Sequence, residues 1–101
     1  MPGDIAAAFE REYGCTEAEW LRWLPGAVRA HALSLAESAH EAGVDLGAGS
    51  LRLAWTPLPP RRIALIRMPR MTVRFAFDSV DAAARAEFMR YFDLYLQRGG
   101  G

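Results

Sequence analysis

The chain has 101 residues, 51% of them hydrophobic, with one cysteine and a formal net charge of zero. This length predicts one domain with a hydrophobic core, and the lone cysteine excludes an internal disulfide, a zinc site built from cysteines and a CxxC redox pair. Neutrality argues against non-specific nucleic-acid binding, whose strength scales with the number of phosphates neutralised.

The charges are unevenly distributed along the chain. Residues 1–50 carry eight acids and three arginines, a balance of −5, whereas residues 51–101 carry four acids and nine arginines, a balance of +5. All twelve basic residues are arginine, as is typical of a GC-rich genome, so we expect a bacterial protein. The start of the chain does not resemble a secretory signal, and no apolar run approaches the ~20 residues of a membrane span. We therefore expect a cytoplasmic protein without a membrane segment.

Two short helices are predicted in the N-terminal part. Residues 4–13 carry apolar side chains at i, i+4 and i+8, which predicts a first helix ending at Gly14. Thr16 and Glu19 have the spacing of a capping box and predict the start of a second helix. Pro25-Gly26 is expected to end it.

Residues 28–42 fit two interpretations. Their alanine, leucine and glutamate content favours a helix ending at Gly43. The stretch HALSLAE also alternates in the manner of a half-buried strand. We favour a strand at residues 30–36, because the sheet that follows needs a partner.

From residue 44 the hydrophobic period changes to two, which predicts strands. Residues 44–55 alternate on both sides of a loop at 47–50 that contains two glycines, so they predict a hairpin. Residues 56–62 contain three prolines and are expected to form a connection, since proline is barred from a central strand. Two further strands are predicted at residues 62–68 and 71–77, joined or bent at Pro69.

The last segment has the clearest helical pattern. Residues 79–97 carry a broad apolar stripe after a capping Asp78 or Ser79, which predicts an amphipathic helix over the sheet. The predicted fold class is α+β: short N-terminal helices, a three- to four-stranded antiparallel sheet, and a long C-terminal helix packed on one face. We expect one domain over residues 1–98 and a flexible glycine tail at 99–101.

The glycine tail has more than one interpretation. Arg98 before Gly99 is typical of helix termination. A C-terminal diglycine also resembles the reactive end of ubiquitin-like or sulfur-carrier proteins, so a diglycine-tailed carrier stays open as a minor alternative. A single RGG triplet could also contact RNA.

The groups that carry catalysis or bind metals form no recognisable constellation. Cys15 lies near a predicted helix N-terminus, where the dipole lowers a thiol pKa, but nothing places His31 or His40 beside it as a base. Glu37, His40 and Glu41 would share a helix face, yet their spacing matches no strong metal motif. We therefore expect no enzyme, no metal site and no cofactor.

The arginines of residues 51–77 are the most informative polar group, because no acid occurs in that span. Arg52 and Arg74 are predicted on the strand face opposite the apolar side chains, where they would line one surface. Three uses stay open: pairing with the acidic half of the chain, internally or across a dimer; binding of an anionic ligand; and solvation. The six arginines are Arg52, Arg61, Arg62, Arg67, Arg70 and Arg74.

The number of aromatic residues is high for this length, at 11%. Aromatic residues ordinarily form the core. A single sheet covered by one long helix, however, offers too little interior to bury Trp23, Tyr91 and Tyr95. Surplus apolar surface marks either a partner site or a pocket for a small molecule.

The stretch EAEWLRWLPGA, followed by strands and a long C-terminal helix, resembles the helix-grip (START-like) ligand-binding domains over about a third of the chain. The resemblance implies short N-terminal helices bearing tryptophan, and a long helix over a curved antiparallel sheet. It adds weight to a ligand pocket.

We predict a non-enzymatic protein-interaction module that self-associates as a homodimer. The alternative is a binding protein for a small apolar or anionic ligand held between the sheet and the C-terminal helix. In that alternative Arg52, Arg67 and Arg74 contact the anion, and Trp55, Phe75 and Phe88 form the pocket walls. The predicted partner- or ligand-binding residues are Trp20, Trp23, Arg52, Trp55, Arg67, Arg70 and Arg74.

Overall fold

The structure is a computed structural model that describes residues 5–97. It is an α+β fold in which five antiparallel strands form one sheet in the order β1-β5-β4-β3-β2. The predicted tail at 99–101 lies outside the described residues. The elements are β1 (Ala8–Tyr13), α1 (Glu17–Ala27), β2 (Ala32–Ala36), a 3-10 turn (Glu37–Ala39), β3 (Glu41–Asp45), β4 (Ser50–Ile63), β5 (Ile66–Asp78) and α2 (Ala82–Tyr95).

The first element is a strand, so the helix predicted at residues 4–13 was wrong. β1 pairs with β5 along its whole length, from Ala8 opposite Ala76 to Tyr13 opposite Met71. A spacing of four residues places side chains on one face of a helix, but it does so on a strand as well, because four is a multiple of two. The pattern therefore could not distinguish the two structures.

α1 begins as predicted but ends later. The Thr16 hydroxyl accepts a hydrogen bond from the Glu19 N–H at 3.1 Å, and the Glu19 carboxylate accepts the Thr16 N–H at 2.9 Å, which completes the capping box. The helix continues through Pro25 to Ala27. The expected stop at Pro25-Gly26 was therefore wrong, and the chain leaves the helix through Arg29 in a left-handed conformation (φ 62°).

The middle of the chain forms two hairpins of the sheet. The strand favoured at 30–36 is present as β2, which pairs with β3. The predicted hairpin around the glycine loop is confirmed, because β3 and β4 pair from Asp45 opposite Ser50. The sheet has five strands rather than the three or four expected.

The longest strands lie where prolines were expected to prevent them. β4 runs continuously through the three prolines of residues 56–62, and β5 runs through Pro69 without a break. β3 pairs with β4 only over residues 50–54, and β1 pairs with β5 only over residues 71–76. The prolines therefore lie on free edges, where a missing N–H breaks no ladder hydrogen bond, and the β4–β5 register shifts at Leu58/Arg61.

Both helices pack on the same face of the sheet. α2 begins at Asp81, whose carboxylate accepts the Ala84 N–H at 2.8 Å, so the N-cap lies two to three residues after the one expected. The rings of Phe88 and Phe92 pack edge-on against those of Phe77 and Phe75. The largest fully buried side chains are Trp20, Leu24, Val28, Val44, Leu51, Leu53, Met71, Val73, Phe75, Met89 and Phe92.

Candidate functional site

A two-stranded arm projects from the middle of the sheet. It comprises residues 57–70 of β4 and β5, which pair with each other beyond the points where β3 and β1 end. At about 3.4 Å per residue, residues 58–63 alone extend about 20 Å. The radius of gyration, 14.0 Å, exceeds the ~13 Å of a compact chain of this length, as a projecting element requires.

The tip of the arm is apolar and exposed. Ala64 and Leu65 form the turn between Ile63 and Ile66, which are paired. Monomeric proteins rarely expose large apolar side chains as a cluster, so the tip is a candidate contact surface. The exposed fractions are 53% for Ile63, 102% for Leu65, 62% for Ile66 and 46% for Met68.

The turn has an unfavourable backbone conformation for its sequence. Ala64 has φ 55°, in the left-handed region that glycine or asparagine normally occupies in two-residue hairpin turns. A left-handed alanine costs on the order of 1 kcal/mol. The tip thus combines a strained backbone, which is a feature of many functional sites, with exposed apolar surface.

Two arginines of the arm oppose each other directly. Arg62 and Arg67 are cross-strand partners, so their side chains leave the same face of the arm. Like charges at directly opposed positions destabilise a strand pair. Among residues 5–97, no carboxylate lies within salt-bridge distance of either guanidinium.

The other two arginines of the arm are partly satisfied within the chain. The Glu12 carboxylate lies 3.7 Å from Arg70 and 3.9 Å from Arg61. Arg70 also donates its Nε–H to the Pro59 carbonyl at 3.1 Å. These exposed contacts stabilise the arm weakly, and they leave Arg62 and Arg67 as its uncompensated charges within the described chain.

Arg52 and Arg74 lie on the outer face of the sheet, away from the helices. Both are exposed, and β4 and β5 are neighbours, so the two arginines occupy one surface. Arg74 is the cross-strand partner of Glu10 on β1. Their cross-strand partners within the β4–β5 pair are small, since Arg52 lies opposite Ala76 and Arg74 opposite Ala54.

The tryptophans are placed differently from the arginines. Trp20 is 1% exposed and Trp55 is 3% exposed, and their rings pack at 5.7 Å between centroids. Trp23 is partly buried against the core. Trp20 and Trp55 therefore stabilise the interior and present no surface to a partner.

Acidic side chains surround the base of the arm. Glu41 is paired with Ala54, and Glu12 with Thr72, at the end of the sheet from which the arm leaves. Glu37 and Glu41 are exposed. Several acidic residues of the N-terminal half of the chain thus lie next to the start of the basic arm.

Cys15 does not have the properties of a nucleophile. Its thiol is buried, and burial, followed by the nearby Glu19 carboxylate, raises its pKa to about 11. In the part of the chain that the structure describes, no group of three or more His, Cys, Asp and Glu residues is arranged to hold a metal ion. The described helices are also too short or too polar to cross a membrane.

The apolar tip was not among the residues predicted from the sequence. The signal was present as an aliphatic run flanked by arginines in RRIALIRM, but nothing local indicated that both faces of this hairpin are exposed. Neither a protein-family model, nor a curated protein, nor a solved structure matches this chain.

Proposed function

We propose that this protein is a non-enzymatic interaction module that self-associates through its arm. The observation that carries the proposal is the opposed pair Arg62 and Arg67, next to the exposed tip residues Ile63, Leu65 and Ile66. Because Arg62 and Arg67 have no carboxylate within salt-bridge distance among residues 5–97, they favour an acidic surface on a partner. The apolar side chains of the tip favour a contact from which water is excluded.

The second copy of the chain is a fitting partner because each subunit carries both halves of the contact. In a two-fold dimer the same patch is used on both subunits. If two arms lie side by side in opposite directions, the tip of each reaches the base of the other. There the exposed Glu37 and Glu41 face Arg62 and Arg67 of the partner copy.

Leu65 offers the most direct test. Its side chain is fully exposed, so Leu65→Ser removes nothing that stabilises the single subunit. We expect sedimentation equilibrium to give a dimer for the wild type, and a dissociation constant raised at least tenfold for Leu65→Ser. Arg90→Ser, an exposed change on α2 away from the arm, is the matched control and should leave the dimer intact.

A charge exchange tests the pairing itself. Arg62→Glu with Arg67→Glu should weaken the dimer. Adding Glu37→Arg and Glu41→Arg should restore it, because both sides of the contact are then reversed. A wild-type chain that stays monomeric at millimolar concentration, or a Leu65→Ser chain that dimerises as tightly as the wild type, overturns the proposal. Sedimentation of a monomer with anionic phosphatidylserine vesicles would overturn it in favour of a lipid surface.

A further inference from the structure

A cavity lies at the end of the sheet opposite the arm. Its volume is about 310 Å³, within the lower range of small-molecule sites. Three connections border it: α1 to β2, β3 to β4, and β5 to α2, with residues 84–91 of α2 as the remaining wall and one side open to solvent. Its apolar lining includes Ala27, Val80 and Phe88, all buried.

The charged groups of the cavity are separated by sign. Arg29 and His31 enter from the connection between α1 and β2, whereas Asp81 and Glu87 enter from α2 and its N-cap. Across the described chain, neither Arg29 nor Glu87 has an oppositely charged group within salt-bridge distance. Positive and negative side chains that line one cavity without pairing with each other can bind a ligand that carries both a negative and a positive group.

Aromatic rings of α2 contact the two basic residues of the cavity, Arg29 and His31. The guanidinium of Arg29 lies 3.9 Å from the centroid of the Tyr91 ring, and this contact holds its planar group against one wall. His31 lies 5.9 Å from the Phe88 ring, centroid to centroid. Ala84, Phe88 and Tyr91 recur at helical spacing on α2, so the same stripe provides the apolar and aromatic surface.

The backbone around the cavity is unusual in two places. Arg29 and Ser79, both lining residues, have left-handed backbones at φ 62° and 61°. Neither residue type favours this region. At Arg29 the conformation ends α1, as a left-handed residue commonly does after a helix, whereas Ser79 lies in the connection to α2. The wall beside Ser79 is tightly built, because a Cβ on Gly49 would lie 2.2 Å from the Asp78 carbonyl oxygen.

We propose that this cavity binds a free amino acid with an apolar or aromatic side chain. The ligand carboxylate accepts hydrogen bonds from Arg29, assisted by His31. The ligand ammonium group donates to Glu87 and Asp81. Its side chain packs on Phe88, Val80 and Ala27. This assignment uses the end of the sheet away from the arm and stands independently of self-association.

The test is a ¹H–¹⁵N NMR titration of the wild-type chain with L-phenylalanine and L-leucine. We expect shifts confined to the cavity, in residues 27–31, 46–49 and 79–91. Two half-ligands, 3-phenylpropionate and phenethylamine, each lack one charged group and should bind at least tenfold more weakly. Each charged hydrogen bond is worth about 1.5–3 kcal/mol, so a tenfold to hundredfold loss is expected.

Variants assign the two charges. Glu87→Gln should weaken the binding of L-phenylalanine about tenfold or more and leave the binding of 3-phenylpropionate unaffected. Arg29→Gln should weaken the binding of both ligands. Arg90→Gln on the outer side of α2 is the control and should change neither. If none of the four probes causes localised shifts at millimolar concentration, the proposal is overturned. Binding of 3-phenylpropionate as tight as that of L-phenylalanine overturns the zwitterion assignment.

Discussion

The carboxylate of Glu17 accepts the indole N–H of Trp55 at 2.6 Å. The same oxygen contacts the Nδ1 atom of His40 at 2.5 Å. One side chain at the start of α1 therefore joins the helix to β4 and to the connection between β2 and β3. Because Trp55 is buried, this carboxylate satisfies an indole N–H that would otherwise lack a partner.

The first prediction concerns acid stability. The hydrogen bond from Trp55, and then the contact with His40, lower the pKa of Glu17 below its ordinary value. Ionised Glu17 therefore stabilises the fold above its unfolded pKa of about 4.3, and the contribution is lost as pH falls through the folded pKa. We expect thermal melts between pH 7 and pH 3 to show a smaller loss of stability for Glu17→Gln than for the wild type. Equal losses would contradict this assignment, and Glu10→Gln, an exposed change on β1 outside both proposed sites, is the control.

The second prediction concerns the reactivity of Cys15. A buried thiol whose pKa is raised to about 11 carries little thiolate at pH 8. We expect labelling by a disulfide reagent to be slow in the native protein and complete within the mixing time in urea. Native labelling at the rate of a free cysteine would show that the thiol is accessible and would contradict the burial.

The third prediction concerns the turn at the arm tip. Ala64 occupies a left-handed conformation that glycine adopts without a Cβ penalty. Ala64→Gly should raise the free energy of unfolding by about 0.5–1 kcal/mol, after the entropy that glycine adds to the unfolded chain is deducted. Urea unfolding of both chains under conditions that keep them monomeric measures the difference. Ala64→Val, which is strained further, should be less stable than the wild type.

The fourth prediction compares two glycines. A Cβ at Gly49 would meet the backbone carbonyls of Asp78 and Ser79 at 2.2 and 2.5 Å, and backbone atoms cannot move aside easily. Gly49→Ala should therefore lower the free energy of unfolding by about 2 kcal/mol or more. Gly43→Ala is the matched control, since nothing lies within 4 Å of its added Cβ. Similar stabilities for the two variants would show that the Gly49 contact is not close.

Elements that depend on nearby residues were predicted well from the sequence. The capping box of Thr16 and Glu19 lies within one turn, and the hairpin loop around Gly47 joins adjacent strands. The amphipathic stripe of α2 extends over a single helix. Such signals depend on a few consecutive side chains and their periodicity, so they can be read without knowing what the segment packs against.

Elements that depend on distant partners could not be predicted in this way. Residues 8–13 became a strand because the edge of β5, about sixty residues later, supplied its hydrogen bonds. The prolines of β4 were tolerated because no third strand lies beside them. Local propensity is overridden in such cases by pairing that the sequence pattern does not reveal.

The sequence by itself determined the class of the fold, the amphipathic helix over the sheet, and an arginine-rich span without acids. Only the tertiary structure decided which of these residues are available for function. It buried Trp20 and Trp55, exposed Leu65, opposed Arg62 to Arg67, and formed the cavity beside Arg29. The reason is that burial and cross-strand proximity depend on how separate segments pack, and that arrangement is not encoded in the spacing of neighbouring residues.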